Sequence, residues 1–296
     1  MEINVDTIYG YFKVNVNDDV KIELDTREKR VIGKLITVGG RNKCVGINAP
    51  YNSDTAELLN VKRTNGGCEL NDNEISGENT VGMVSLAFTF LRKYMSHIKY
   101  IKLQDCSDIP CKLKNGTTVG VSLALHQLIF HQKTWYERYF KAILINEDMR
   151  KLYEKGKENF MKKPGEFDFK NPSLNEILRP ILAKSASWKE FFNYLNTLPN
   201  KCEIIFLWYP DAINSIFDNI SYSRQIWIID LSNIPSIEYT VRQTGGKRKT
   251  RKYEKDYSMP FLDHISYDDS VKYTYTLIKS SPLRIETAFP YLIVCS

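Results

Sequence analysis

The sequence is poor in the residues that usually mark a catalytic or metal centre. Its four histidines (His97, His126, His131, His264) include no pair four residues apart, which argues against two imidazoles sharing a helix face around a metal. The six cysteines (Cys44, Cys68, Cys106, Cys111, Cys202, Cys295) are scattered, with no Cys-x-x-Cys pair. The expectation is free, buried thiols in a reducing compartment rather than disulfides. No Gly-x-Ser-x-Gly, Walker-type or carboxylate-dyad pattern is present, so the enzyme classes built on those motifs have no support. The longest strongly apolar run, 204–209, is far too short to cross a bilayer. Residues 1–12 lack the basic start and apolar core of a secretion signal.

What is present describes a chain able to bury a full core. Hydrophobic residues make up 43% and charged residues 26% of 296, enough for one large domain or two smaller ones. The net charge of +6 is concentrated. Lys247, Arg248, Lys249, Arg251 and Lys252, inside a basic loop at 245–252, carry nearly all of the excess. Five like charges in six residues repel one another and predict an exposed loop suited to an acidic partner.

The first seventy residues read as strands. Alternation over 9–16, 20–25 and 31–38 flanks a charged turn at 26–30, and further strands are expected at 43–48, 58–62 and 68–70. The stretch 77–105 then changes character. Val81, Val84, Leu86, Phe88, Leu91 and Tyr94 recur at helical spacing, with Arg92, Lys93 and His97 near the end, and Asn79 or Thr80 as a first-turn cap. Ile98, Tyr100, Ile101 and Leu103 follow as a buried strand. A glycine-bearing turn at 77–82 that opens onto a helix is a place where free N–H groups can cradle a phosphate, or simply a helix start. A second helix is expected over 119–139 and a short strand at 142–145.

That order, antiparallel strands, turn, helix, strand, helix, resembles the GNAT superfamily of N-acetyltransferases. Thr80, Val81, Gly82 and Met83 stand where that family has its Arg/Gln-x-x-Gly-x-Gly/Ala turn over the cofactor pyrophosphate. Residues 98–104 look like its central strand, and Trp135-Tyr136-Glu137-Arg138 resembles its Tyr-Glu-Lys helix end. Gly82 is the one glycine of the pair that remains; Thr80 replaces the other, and Gly77 stands where the Arg or Gln belongs. The resemblance covers 9–145. It implies an acetyl-CoA site at Gly77, Thr80, Val81, Gly82 and Met83, with Tyr136 as the acid that protonates the leaving thiolate. Glu69, Glu74 and Asp105 are the carboxylates near enough in order to act as base. The 133–138 and 245–252 stretches also look like uncharacterised proteins of nucleocytoplasmic large DNA viruses, which implies a host-cell cytoplasm, virus factory or virion as the setting.

Beyond 146 the sequence predicts helices at 147–163, 173–183 and 187–198, the last capped by Ser187 with Glu190 three residues on. Strands are expected at 203–209, 225–231, 237–242, 253–260, 271–278 and 291–295. The expected fold is therefore α+β: a GNAT-like, mainly antiparallel sheet with flanking helices in 1–146, and an α+β extension in 147–296. Two functions stay open. One is an acetyl-CoA-dependent N-acetyltransferase acting on an amine. The other, favoured by the departures in the turn, is a scaffold without a cofactor that binds a protein or nucleic acid, RNA ahead of DNA. In that reading aromatics such as Trp208 and Trp227 stack on bases.

Overall fold

The computed structural model describes residues 1–23, 30–61, 67–70, 77–105, 108–168, 172–198, 202, 216–217 and 225–242. The expected basic loop at 245–252, Trp208, Glu74 and the expected strands at 203–209, 253–260, 271–278 and 291–295 lie outside these residues.

Alternating apolar residues build the first layer. Strands β1 (Glu2–Thr7) and β2 (Gly10–Glu23) form a hairpin over a two-residue turn, where Thr7 Oγ1 accepts from Tyr9 N and donates to Gly10 O, both at 3.1 Å. Phe12, Val14 and Val16 point inward from β2. The sequence predicts two strands at 9–16 and 20–25. The chain instead runs on as one strand, with a bulge between Asn17 and Val20 that absorbs the break in alternation. Strands β3 (Arg30–Gly39), β4 (Lys43–Pro50) and β5 (Thr55–Val61) continue the antiparallel meander. The expected strand at 68–70 is a turn.

Helix α1 (Gly77–Tyr94) leads into β6 (Tyr100–Gln104), which pairs parallel with β5. Asn79 and Thr80 lie inside this helix rather than capping it. The sequence predicts a single apolar stripe on α1, but Met83, Val84, Leu86, Ala87, Phe88, Phe90 and Leu91 are all fully buried. Strands β2, β3 and β4 cover one side of the helix. The other side is covered from far along the chain. Ile237 N donates to Thr89 Oγ1 at 3.1 Å, Tyr239 lies 4.9 Å from the Phe90 ring, and Lys93 Nζ donates to Tyr239 OH at 3.0 Å. Arg92 extends its Nη1 to the carbonyl oxygens of Leu231 and Ile234.

The expected helix at 119–139 is split into three elements. Strand β8 (Thr118–Ser122), paired in a hairpin with β7 (Asp108–Lys112), takes up its first residues. Helix α2 (Leu123–His131) starts at the Ser122 cap and stops where Gln132 adopts a left-handed conformation. Helix α3 (Trp135–Phe140) restarts on a capping box: Thr134 Oγ1 accepts from Glu137 N, and Glu137 Oε2 accepts from Thr134 N. Helix α2 packs on β7, β8 and a later helix instead of on the large sheet.

Strand β9 (Ile143–Leu144) precedes helices α4 (Glu147–Phe160), α5 (Pro172–Leu182) and α6 (Trp188–Thr197). Trp188, Phe191, Phe192 and Leu195 of α6 are buried as their spacing predicts. Ser187 Oγ accepts from Glu190 N at 3.2 Å, and Glu190 Oε2 accepts from Ala186 N at 2.7 Å. Ser187→Ala is expected to lower stability by about 1 kcal/mol, read as a shifted urea midpoint with an unchanged slope.

The sheet continues across the boundary expected at 146. Strand β10 (Ile226–Asp230) pairs antiparallel with both β6 and β9, and β11 (Thr240–Arg242) pairs antiparallel with β1. Nine of the described strands thus form one sheet in the order β11-β1-β2-β3-β4-β5-β6-β10-β9, with β5–β6 its parallel pair. The protein is a mixed α+β fold with a large, mostly antiparallel sheet. No helix among the described residues is long and apolar enough to cross a membrane.

The cysteines correct a further expectation. Cys44 is joined to Cys68 and Cys111 to Cys202, each pair with Cα atoms 5.6 Å apart. Sequence spacings of 24 and 91 residues hide such pairs, because the fold, not the spacing, brings the Cβ atoms together.

Candidate functional site

In a sheet with a parallel pair, the crevice beyond the carboxyl ends of those strands is where a ligand finds unpaired backbone and a helix N-terminus together. Helix α1 connects β5 to its parallel neighbour β6, so it runs back against their direction and starts at the end where β5 finishes. The parallel ladder covers only Thr55↔Tyr100, Ala56↔Ile101 and Glu57↔Lys102. Past it the strands hold other partners: Val61 of β5 pairs with Val45, and Gln104 of β6 pairs with Ile226. Residues 58–61 and 103–104 are thus not paired with one another.

Several buried polar groups belong to this end. Thr80 is buried in α1 and its Oγ1 has no hydrogen-bond partner among the described residues. Asp105, directly after β6, is 1% exposed. Tyr136 of α3 is fully buried and its hydroxyl has no hydrogen-bond partner there either. Burial raises the Tyr136 phenol well above its ordinary pKa, and the Asp105 carboxylate raises it further, because both oppose a phenolate. Both effects keep the Tyr136 proton on its oxygen. The shift makes the phenol a weaker acid than an exposed tyrosine, and the hydroxyl is sealed from solvent.

The other expected site residues are placed as follows. The expected turn at 77–82 is instead the start of α1: Gly77 opens the helix, Val81 is half-buried and Met83 is fully buried. At Gly82 a side chain would overlap Cβ and Cγ of Tyr9, from the β1–β2 turn. The close approach that glycine permits here is therefore used by Tyr9 of the same chain. Glu69 is also committed: its Oε1 accepts from Tyr11 N at 3.1 Å. Trp227, expected to stack on bases, is 1% exposed and lies edge-on to Tyr153 at 5.6 Å, so it is a core residue. The structure brings Asp105 and Tyr136 together and sets Gly82 against Tyr9. Among the described residues no group of three or more His, Cys, Asp or Glu side chains could hold a metal ion.

Sequence reasoning missed a network behind the site. Glu137 Oε2 accepts from Thr134 N at 3.0 Å and from the Tyr153 hydroxyl, while Oε1 accepts from Lys157 Nζ. One carboxylate thus pins α4 to the start of α3, next to Tyr136. The Thr-x-x-Glu spacing announced half of this arrangement; the α4 partners had no local signal.

Compared with protein-family models, with curated proteins and with solved structures, the chain finds no match.

Proposed function

We propose that the chain is a GNAT-like scaffold whose cofactor turn is closed by its own side chain, and that it works as a binding module for nucleic acid or protein. One observation carries this reading: Tyr9 occupies the approach to Gly82 that a pyrophosphate would need. Thr80 in place of the second glycine and Gly77 in place of Arg or Gln point the same way, since they remove a close approach and a charge partner. The basic residues Lys247, Arg248, Lys249, Arg251 and Lys252 supply the charge for a polyanion, RNA ahead of DNA.

Fluorescence anisotropy with single-stranded RNA at graded salt tests this reading. Five phosphate contacts imply a slope of log K against log salt of roughly −3.5 for a single strand, and replacing all five cations by Gln flattens it. Identical affinity and slope in the five-Gln variant remove the loop from the function.

A second reading rests on a specific feature, the three-residue parallel ladder with a protonated Tyr136 beyond it. In that reading acetyl-CoA lies between the diverging strands, N–H groups polarise the thioester carbonyl and Tyr136 protonates the thiolate. Thermal unfolding separates the two readings. A bound cofactor at a hundred times its Kd adds about 2.7 kcal/mol to stability. The scaffold reading expects no saturable shift with acetyl-CoA; a micromolar, saturable shift, with turnover lost in Tyr136→Phe, makes the chain an acetyltransferase.

A further inference from the structure

The two disulfides occupy different physical settings. Cys44 and Cys68 are both fully buried, and their surroundings are held by backbone hydrogen bonds as well. Asn42 N donates to Gly67 O at 2.7 Å, Gly40 N donates to Gly67 O at 3.2 Å, and Leu70 N donates to Tyr11 O at 2.9 Å. Loss of that S–S bond would leave the Cys68 turn fastened. Cys111 and Cys202 are only half-buried. Cys111 lies on β7, in the two-stranded sheet separate from the nine-stranded one, and Cys202 lies just past α6. The bond therefore closes a ring between cysteines 91 positions apart that contains α2, α3, α4, α5 and α6. Helix α2 bridges the same two ends without a covalent link, since it rests on β7 and β8 at one side and on α6 at the other.

We propose that Cys111–Cys202 is a reducible clasp between the β7–β8 hairpin and the helical layer, and that Cys44–Cys68 is a permanent staple of the sheet. The reductant is a cellular dithiol of the thioredoxin class. One of its thiolates attacks a clasp sulfur and forms a mixed disulfide, releasing the other cysteine as a thiolate that takes up a proton. The second thiol of the reductant then displaces the remaining clasp cysteine. Two electrons pass to Cys111 and Cys202, and the reductant leaves as its own disulfide. Access of the attacking thiolate decides which bond is opened, so exposure separates the two disulfides. The inference does not depend on what the chain binds.

The full chain, purified without reductant, tests this. Blocking free thiols in denaturant, followed by reduction, a second label and peptide mapping, is expected to find Cys44, Cys68, Cys111 and Cys202 oxidised. Peptide mapping keeps Cys106 and Cys295 separate. Under native conditions with thioredoxin or dithiothreitol, Cys111 and Cys202 should become labelled at least ten-fold faster than Cys44 and Cys68. Hydrogen exchange should then rise in β7, β8, α2 and α6 and stay unchanged in α1 and β2–β4. Cys111→Ser/Cys202→Ser should show the same exchange pattern without reductant; if that variant fails to fold, native reduction of the natural chain supplies the reading. Free thiols at Cys111 and Cys202 in the purified chain, equal labelling rates, or unchanged exchange on reduction would each overturn the proposal.

Discussion

Gly82→Leu is expected to destabilise the fold by about 3 kcal/mol, the upper part of the usual range for forcing methylenes into a packed site. The added atoms enter the space of the Tyr9 ring, and α1 cannot withdraw, because it is held on the sheet by fully buried residues. Tyr9→Gly, which removes the Cβ and Cγ that lie nearest, should rescue much of that loss. A double-mutant cycle on urea midpoints is therefore expected to give a coupling of more than about 1 kcal/mol. The cycle speaks to function as well as packing. If Gly82→Leu leaves the midpoint in place and instead abolishes an acetyl-CoA shift, the approach to Gly82 belongs to a ligand, and the closed-turn reading fails.

Acid should weaken the protein well before its carboxylates titrate. His126 and His131 on α2 both have pKa values lowered to about 4. For His126 the cause is burial: its Nδ1 is sealed without a partner among the described residues, and its ring lies 4.6 Å from Phe130. For His131 burial comes first, then the positive charges of Arg138, His126 and Lys189. The folded state thus keeps both rings neutral, while the unfolded chain protonates them near pH 6.5. Stability from this source is complete above 6.5 and is lost as pH falls towards 4, by up to about 1.4 kcal/mol per pH unit for each histidine. Urea midpoints at pH 7.0, 5.5 and 4.5 should show this decline, and His126→Phe should roughly halve its slope. An unaltered slope in that variant would mean that His126 is protonated in the fold.

Much of the architecture was legible because its signals are local. Alternation in 9–16, the helical spacing of Val84, Leu86, Phe88 and Leu91, and Ser187 with Glu190 each point to the element that forms there. The errors share one cause, a competing local signal or a distant partner. At 119–139 the apolar spacing outweighed Ser122 and the Thr134-x-x-Glu137 box, both of which start new helices. Helix α1 looks one-sided in sequence because the residues that cover its other face lie at 231–239. At the candidate site Tyr136 and Asp105 could be named in advance, but not their burial. Tyr9 carried no signal at all, since nothing in a turn residue reveals that it will sit over a helix glycine seventy positions later.

The sheet is closed from both of its sides by late residues, and this constrains how the chain can be made. As β6 leaves the ribosome, its outer edge lacks the β10 strand it pairs with in the finished sheet, and β1 lacks β11. Roughly 120 further residues separate β6 from β10, which at ordinary synthesis rates is about 6–25 seconds of waiting. Unpaired strands are templates for other nascent chains during that interval. The ion pair between Asp6 and Arg242 joins the first strand to the last described one, so the sheet reaches its final pairing only when Arg242 has emerged. Slow folding, and refolding that improves at low protein concentration, are the expected results of this connectivity.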